Sequence, residues 1–206
     1  IRELLKEAET PLHRVSHYPH NPMCEVCKLA HMRQRSYAHK REAEDDGLPP
    51  LTGPLQEIGV DCLIISKSAN DENRMSASGN IVALTIRDHY SGQGISIPLP
   101  SRPQAEIYEG LKFFAGVIRD TPHLIVKSDC AAEITNAVKE LGWHSDPSLA
   151  RRWPHNTKHE RWQGTTKSVI RATMQQSGAP PDFWDGATPY ATIALSIAQP
   201  APILPY

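Results

Sequence analysis

The sequence predicts a mixed α/β fold preceded by a small helical module. From residue 55 onward, apolar strand-like runs follow one another and then alternate with segments of helical periodicity. The first 46 residues differ, because they are rich in His, Cys and charged residues. A Pro- and Gly-rich stretch separates the two parts. We therefore divide the chain into a module (1–46), a linker (47–54) and an α/β core (55–206).

The module is predicted to be helical at both ends. Leu4, Leu5, Ala8 and Leu12 have the spacing of one helix face, and residues 27–44 form a second helical run. A His/Cys-rich stretch follows the first helix and leads into the second.

The core is predicted to have the order β-β-β-α-β-α-β-α-α, which is typical of a layered α/β domain. The strand-like runs are residues 58–66, 81–88, 94–100 and 123–129, with a short strand or turn at 143–148. The helical segments are residues 104–118, 131–142, 154–176 and 182–198. Gly142 is expected to end its helix, and Pro189 is expected to kink or break the last one.

Composition excludes some classes of function. The chain has 206 residues, 39% hydrophobic and 22% charged, with a net charge of -1. No apolar run approaches the ~20 residues of a membrane span, and a uniformly basic nucleic-acid binder is excluded. The basic residues cluster locally, in 151–171, where a single acid accompanies Arg151, Arg152, Lys158, Arg161, Lys167 and Arg171. The start without Met and the end in QPAPILPY suggest a piece cut from a longer chain. We expect an intracellular location.

Four residues of the module have the spacing of a zinc site. His13 and His17 are four residues apart, and Cys24 and Cys27 form a CxxC knuckle. Two imidazoles and two thiolates complete a tetrahedral Zn²⁺ site, which leaves no place for water and is therefore structural. His20 is the competing ligand.

Three acids are candidates for a second metal site. Asp61 interrupts an apolar strand, Asp129 ends another strand, and Glu160 is the one acid in the basic stretch, four residues after Asn156. Carboxylate oxygens suit Mg²⁺ or Mn²⁺. Glu133 and Asp88 are competing acids, which we interpret as a helix-dipole residue and a turn residue.

Together these residues resemble an integrase of copia-like retroelements or retroviruses. The cluster of His13, His17, Cys24 and Cys27 resembles the family's HHCC module, and Asp61, Asp129 and Glu160 resemble its DDE triad. Residues 81–116, 127–134 and 154–187 resemble the segments around the three acids. The likeness covers about residues 12–198, although residues 130–159 form a shorter segment than the family usually has.

The resemblance implies a ribonuclease H-like fold and phosphoryl transfer on DNA with two Mg²⁺ ions. It implies trimming of the 3′ ends of a mobile element, then strand transfer into target DNA. Its expected DNA contacts are Arg151, Arg152, Asn156, Lys158, Arg161 and Lys167. We expect a homo-oligomer without membrane attachment, in a nucleoprotein particle of the nucleus or cytoplasm. The alternatives are a zinc-dependent DNA-binding module whose catalytic site has decayed, and a related DDE transposase or ribonuclease H-type nuclease.

Overall fold

A computed structural model describes residues 1–31, 50–64, 75–116, 124–148 and 157–198 of the chain. The module begins with three short helices, α1 (Arg2–Ala8), α2 (Pro11–Ser16) and α3 (Glu25–His31). The first predicted helix is thus two helices, because Thr10 caps a new one with its hydroxyl and Pro11 opens it. The remainder of the predicted second helix, beyond His31, lies outside the described residues.

The core contains a five-stranded mixed sheet. The strands are β1 (Glu57–Ile64), β2 (Val82–Asp88), β3 (Gly94–Leu99), β4 (Ile125–Ser128) and β5 (His144–Pro147). Their order across the sheet is β3-β2-β1-β4-β5, with the first three antiparallel and β4 and β5 parallel to β1. This is the ribonuclease H-like arrangement that the resemblance implied, and the predicted α/β fold class is confirmed.

Four helices accompany this sheet: α4 (Gln104–Ala115), α5 (Ala132–Glu140), α6 (Thr157–Ser177) and α7 (Trp184–Ala198), the last preceded by a 3₁₀ turn, Pro181–Phe183. Gly142 ends α5 as predicted. It has φ +74°, and the N–H groups of Gly142 and Trp143 bond to the carbonyls of Lys139 and Val138 in a Schellman motif.

Of the kink or break expected at Pro189, the break is wrong, because α7 runs through this residue. The kink stays a prediction. A proline near the start of a helix removes a single backbone N–H bond. The buried side chains of Trp184, Ala191 and Leu195 hold both ends of α7 in one apolar cluster.

The two faces of the sheet differ in character. On the face of Ile58 and Val60, strands and helices α4 and α5 enclose the main apolar core, which includes Leu84, Ile107 and Ile134. The opposite face, covered by α6 and α7, is apolar only toward the end of β1, around Leu63. Its other half is polar and buried, which singles it out as a place for chemistry.

No helix in the described parts of the chain is both long enough and apolar enough to cross a membrane.

Candidate metal centre and active site

The fold brings His13, His17, Cys24 and Cys27 together, as the spacing predicted. One ligand atom from each lies within 4.8 Å of all the others. Cys27 Sγ is 3.5 Å from His13 Nε2 and 3.8 Å from His17 Nδ1. Edges of about 3.5 Å are those of a tetrahedron around zinc with Zn–S near 2.3 Å and Zn–N near 2.0 Å. The donor set and its geometry fit Zn²⁺, whereas His20 is exposed and outside the group.

Burial shifts the pKa values of two of these side chains. It raises the pKa of Cys27 to about 11, and together with the charge of His17 it lowers the pKa of His13. Without a metal the group therefore holds a neutral imidazole beside a protonated thiol. A bound dication would displace the thiol protons, so metal binding here releases protons and depends on pH.

The module packs against α6 and α7 of the core. Tyr18 lies against the apolar cluster around Leu63, and the hydroxyl of Tyr190 on α7 donates to the carbonyl of Val15 at 3.1 Å. His17 reaches α6 through a side-chain hydrogen bond. The His/Cys group is therefore in direct contact with the helix that begins beside the acids.

Asp61 and Asp129 become neighbours through the parallel pairing of β1 with β4. Gly59 pairs with Lys127. Asp61 and Asp129 each follow this pair by two residues, and the charge of Asp129 acts on Asp61. Asp61 faces α6, on the polar half of the sheet, whereas Asp129 is exposed directly after β4. The sheet thus joins two carboxylates that are far apart in sequence.

The pKa of Asp61 is raised to about 6. Burial is the main cause and the negative charge of Asp129 adds to it, while the N–H of Cys62, a hydrogen bond with Gln163 and the charge of Lys167 act in the opposite direction. A partly buried acid beside a second acid is the donor set that a hard divalent cation neutralises, so these residues fit Mg²⁺ or Mn²⁺.

Glu160 lies in the first turn of α6 and is exposed. Gln163 and Lys167 follow it by three and seven residues, which places all three on one flank of the helix. Because Gln163 and Lys167 both act on Asp61, that flank is the one beside the two acids. The role of Glu160 as third carboxylate stays a prediction.

A buried hydrogen-bond network connects α6 to the strand of Asp61. The Thr85 hydroxyl donates to the Asp61 carbonyl at 2.8 Å and accepts from Gln163 Nε2 at 2.8 Å. His159 Nε2 is 3.1 Å from the same hydroxyl and must be its donor, because the hydroxyl proton is already used. Burial lowers the pKa of His159 to about 3, so this imidazole is neutral.

A second polar cluster lies at the beginning of β1. His89 Nδ1 is 2.6 Å from a carboxylate oxygen of Glu57, and Lys127 Nζ is 3.4 Å from the other oxygen. The hydrogen bond from His89 lowers the pKa of Glu57 more than burial raises it. Glu57 is therefore an ionised carboxylate with partners of its own.

The predicted DNA contacts divide between the two flanks of α6. Lys167 lies beside Asp61, whereas Lys158 and Arg161 line a cleft on the other flank, next to β2. Arg151, Arg152 and Asn156 lie outside the described residues. Of the competing acids, Asp88 accepts the N–H groups of Leu55, Tyr90 and Ser91, which confirms its interpretation as a turn residue.

Sequence reasoning missed the residues that hold Asp61 in place. Gln163 could have been found from its i+3 spacing to Glu160. Thr85 and His159 carried no comparable signal, because their meeting depends on how α6 crosses β1 and β2. Glu57 and His89 were missed for the same reason.

Known proteins similar to this chain are found among solved structures. No protein-family model and no curated protein matches the sequence. Among solved structures, the chain is similar to the catalytic core domain of BIV integrase in crystal form I. The identity is 14%, the TM-score is 0.46, and the match covers 68% of this chain and 82% of that one.

Proposed function

We propose that this chain is the integrase of a mobile element. It would trim the 3′ ends of the element's DNA and join them to target DNA by Mg²⁺-dependent phosphoryl transfer. The observation that supports this most directly is the adjacency of Asp61 and Asp129 at the polar half of the sheet, beside the first turns of α6. A carboxylate whose ionisation is made costly by burial and by a second carboxylate beside it calls for a divalent cation.

Asp61, Asp129 and Glu160 are the proposed catalytic carboxylates and would hold the two ions. When bound, these ions would supply Lewis acidity to the attacking and leaving oxygens of the scissile phosphate. Gln163 orients the Asp61 carboxylate through its hydrogen bond, and Thr85 fixes the backbone of Asp61. Lys167 would balance the charge of a DNA phosphate beside the acids.

In the module, His13, His17, Cys24 and Cys27 would hold a structural Zn²⁺. With all four positions of a tetrahedron taken by protein ligands, this ion would organise the fold and take no part in the reaction. DNA, both as element end and as target, would be the partner of the chain, and the working form would be a homo-oligomer in a nucleoprotein particle of the nucleus or cytoplasm.

The test is Mg²⁺-dependent nicking and joining of short duplexes to a supercoiled plasmid, using the zinc-loaded chain. We expect joined products with the wild type and a loss of about 10²-fold or more in Asp61→Asn, with DNA affinity retained. The matched control is Asp146→Asn, the same change on the exposed neighbouring strand β5.

The other outcomes separate the alternatives. DNA binding without any Mg²⁺-dependent cutting would replace the proposal by a DNA-binding module whose catalytic site has decayed. Cutting without joining would favour a hydrolytic nuclease of the ribonuclease H type. Equal activity in Asp61→Asn and wild type would exclude this site as the catalytic one.

A further inference from the structure

Four basic side chains surround one cleft at the amino-terminal turn of α6. Arg87 from the end of β2, His89 just after it, and Lys158 and Arg161 from α6 line a cavity of about 300 Å³. It lies on the opposite flank of α6 from Gln163 and Lys167, so it is separate from the acids. The two regions share a helix without sharing side chains.

The charge around this cleft is positive. Lys158 and Arg161 are exposed and extend from the helix over the opening. Arg87 lies 5.8 Å from the ring of Trp162, which presents its guanidinium at the helix flank. Two acids lie close to these cations: Glu57 interacts with Lys158 and Asp88 with Arg87. Both also have other partners, since Glu57 binds His89 and Lys127, and Asp88 accepts the hydrogen bonds of its own turn.

The backbone of α6 adds to the positive electrostatic potential in the cleft. The first described residues of α6 are Thr157 and Lys158, so the positive end of a 21-residue helix lies at the cleft. His89 lines one side of the cleft in a fixed position, because its side chain is 2% exposed and its Nδ1 is 2.6 Å from the Glu57 carboxylate. A cavity, several cations and a helix amino terminus together make a place for a small, highly charged anion.

We infer that this cleft is a phosphate-binding site, distinct from the carboxylate site. A phosphate group fits because guanidinium and ammonium groups from two different elements converge on a space large enough for it. Its source would be a backbone phosphate of bound DNA, which rests on the proposed function, or free phosphate. In the first case α6 would hold a DNA strand on both flanks, with the reacting phosphate on one side and an anchoring phosphate on the other.

The test uses inorganic phosphate as the probe, with the zinc-loaded chain in magnesium-free buffer at constant ionic strength. Calorimetric titration of the wild type is expected to show millimolar binding. The double variant Lys158→Gln/Arg161→Gln is expected to weaken it about fivefold or more, whereas Lys139→Gln, an exposed change on α5, leaves it unchanged. Both altered side chains are exposed, so unfolding curves should match the wild type. Absence of phosphate binding to the wild type, or equal binding by the double variant, would overturn the inference.

A second arm identifies the source. The salt dependence of duplex DNA binding is measured for wild type and double variant. A slope lower by about one to two in the variant supports a DNA phosphate in the cleft. An unchanged slope together with lost phosphate binding restricts the site to free phosphate and overturns the DNA assignment. Asp61→Asn should bind phosphate normally, so a failure of the proposed catalysis would leave this result intact.

Discussion

His17, one of the four candidate zinc ligands, is bonded to Gln176 near the end of α6, with Nε2 of the imidazole 2.9 Å from Oε1 of the amide. The other ring nitrogen, Nδ1, faces the two cysteines. An amide oxygen accepts, so His17 Nε2 carries the proton and Nδ1 is left with the lone pair a metal needs. Gln176, which belongs to the α/β core, thus sets the tautomer of His17, a candidate ligand in the module.

Replacing Gln176 should therefore weaken zinc binding without removing a ligand. We expect Gln176→Ala to lower Zn²⁺ affinity about tenfold, because outer-shell partners of a ligating histidine commonly contribute that much. Competition with a chromophoric chelator measures the effect. Gln175→Ala, the adjacent exposed position on α6, is the control. If both variants bind zinc as tightly as the wild type, the hydrogen bond between Gln176 and His17 does not contribute to zinc affinity.

Zinc removal should unfold the module and leave the α/β core folded. Among the described residues of the module, the buried side chains are Ser16, Asn21 and three of the four ligands, so there is almost no apolar core to replace the metal. Hydrogen exchange with and without a zinc chelator should show lost protection confined to the module, residues 1–46. Cys27→Ser should behave like the chelated protein and Cys130→Ser, an exposed cysteine, like the wild type. Retained protection of the module after complete zinc removal would refute the metal assignment.

Asp61 should reduce stability at neutral pH when magnesium is absent. The pKa of folded Asp61, about 6, lies above the ordinary value of 3.8, so its contribution to stability is complete below pH 4 and is lost as the pH rises through 6. We expect Asp61→Asn to be more stable than the wild type by about 1–3 kcal/mol at pH 7.5 and equal to it near pH 4. Mg²⁺ should narrow that gap by stabilising the wild type alone.

Urea unfolding between pH 4 and 8 measures the stability of Asp61→Asn and the wild type. It is carried out in zinc-containing buffer with and without Mg²⁺. Only the difference between variant and wild type is informative, since His159, whose pKa burial lowers to about 3, makes both proteins less stable as the pH falls below 6.5. Asp146→Asn is again the control. If the difference in unfolding free energy between Asp61→Asn and the wild type does not change with pH, the pKa of Asp61 is not perturbed.

Gln163 should shift the pH profile of the proposed reaction. Its hydrogen bond lowers the pKa of Asp61, so its loss lets that pKa rise further. For Gln163→Ala we expect the acidic limb of Mg²⁺-dependent DNA cleavage to move to higher pH, with the plateau rate reduced less. A uniform loss of rate at every pH would indicate that Gln163 serves packing alone. Gln175→Ala should leave the profile where it is.

Two glycines should respond in opposite ways to alanine. A Cβ at Gly59 would lie 2.6 Å from His159 Nδ1 and 2.7 Å from His89 Nε2, so Gly59→Ala must displace α6 or the imidazoles. We expect a loss of about 1–3 kcal/mol in the free energy of unfolding. At Gly164, on α6, a Cβ meets nothing within 4 Å, and Gly164→Ala should stabilise by about 0.5–1 kcal/mol. Chemical denaturation of both variants tests the pair, and a stable Gly59→Ala protein would show that the close approach is not required.

Local patterns were enough to predict the main elements and the group of four His and Cys side chains. The apolar run at 58–66, the helix end at Gly142 and the spacing of the His/Cys group each involve residues that are near one another along the chain. Backbone geometry over a turn or a strand follows from such short-range preferences. The α/β class and the His/Cys group therefore both follow from the sequence alone.

Long-range packing decided which residues surround Asp61 and on which flank of α6 the basic side chains lie. The neighbours of Asp61 come from β4 and from α6, and the sharing of Thr85 by Gln163 and His159 depends on the crossing of that helix over the sheet. The division of Lys158, Arg161 and Lys167 between two flanks likewise depends on which face of α6 is buried. Periodicity identifies a buried face but not the residues opposite it, because those are selected by strand register and helix docking over the whole domain.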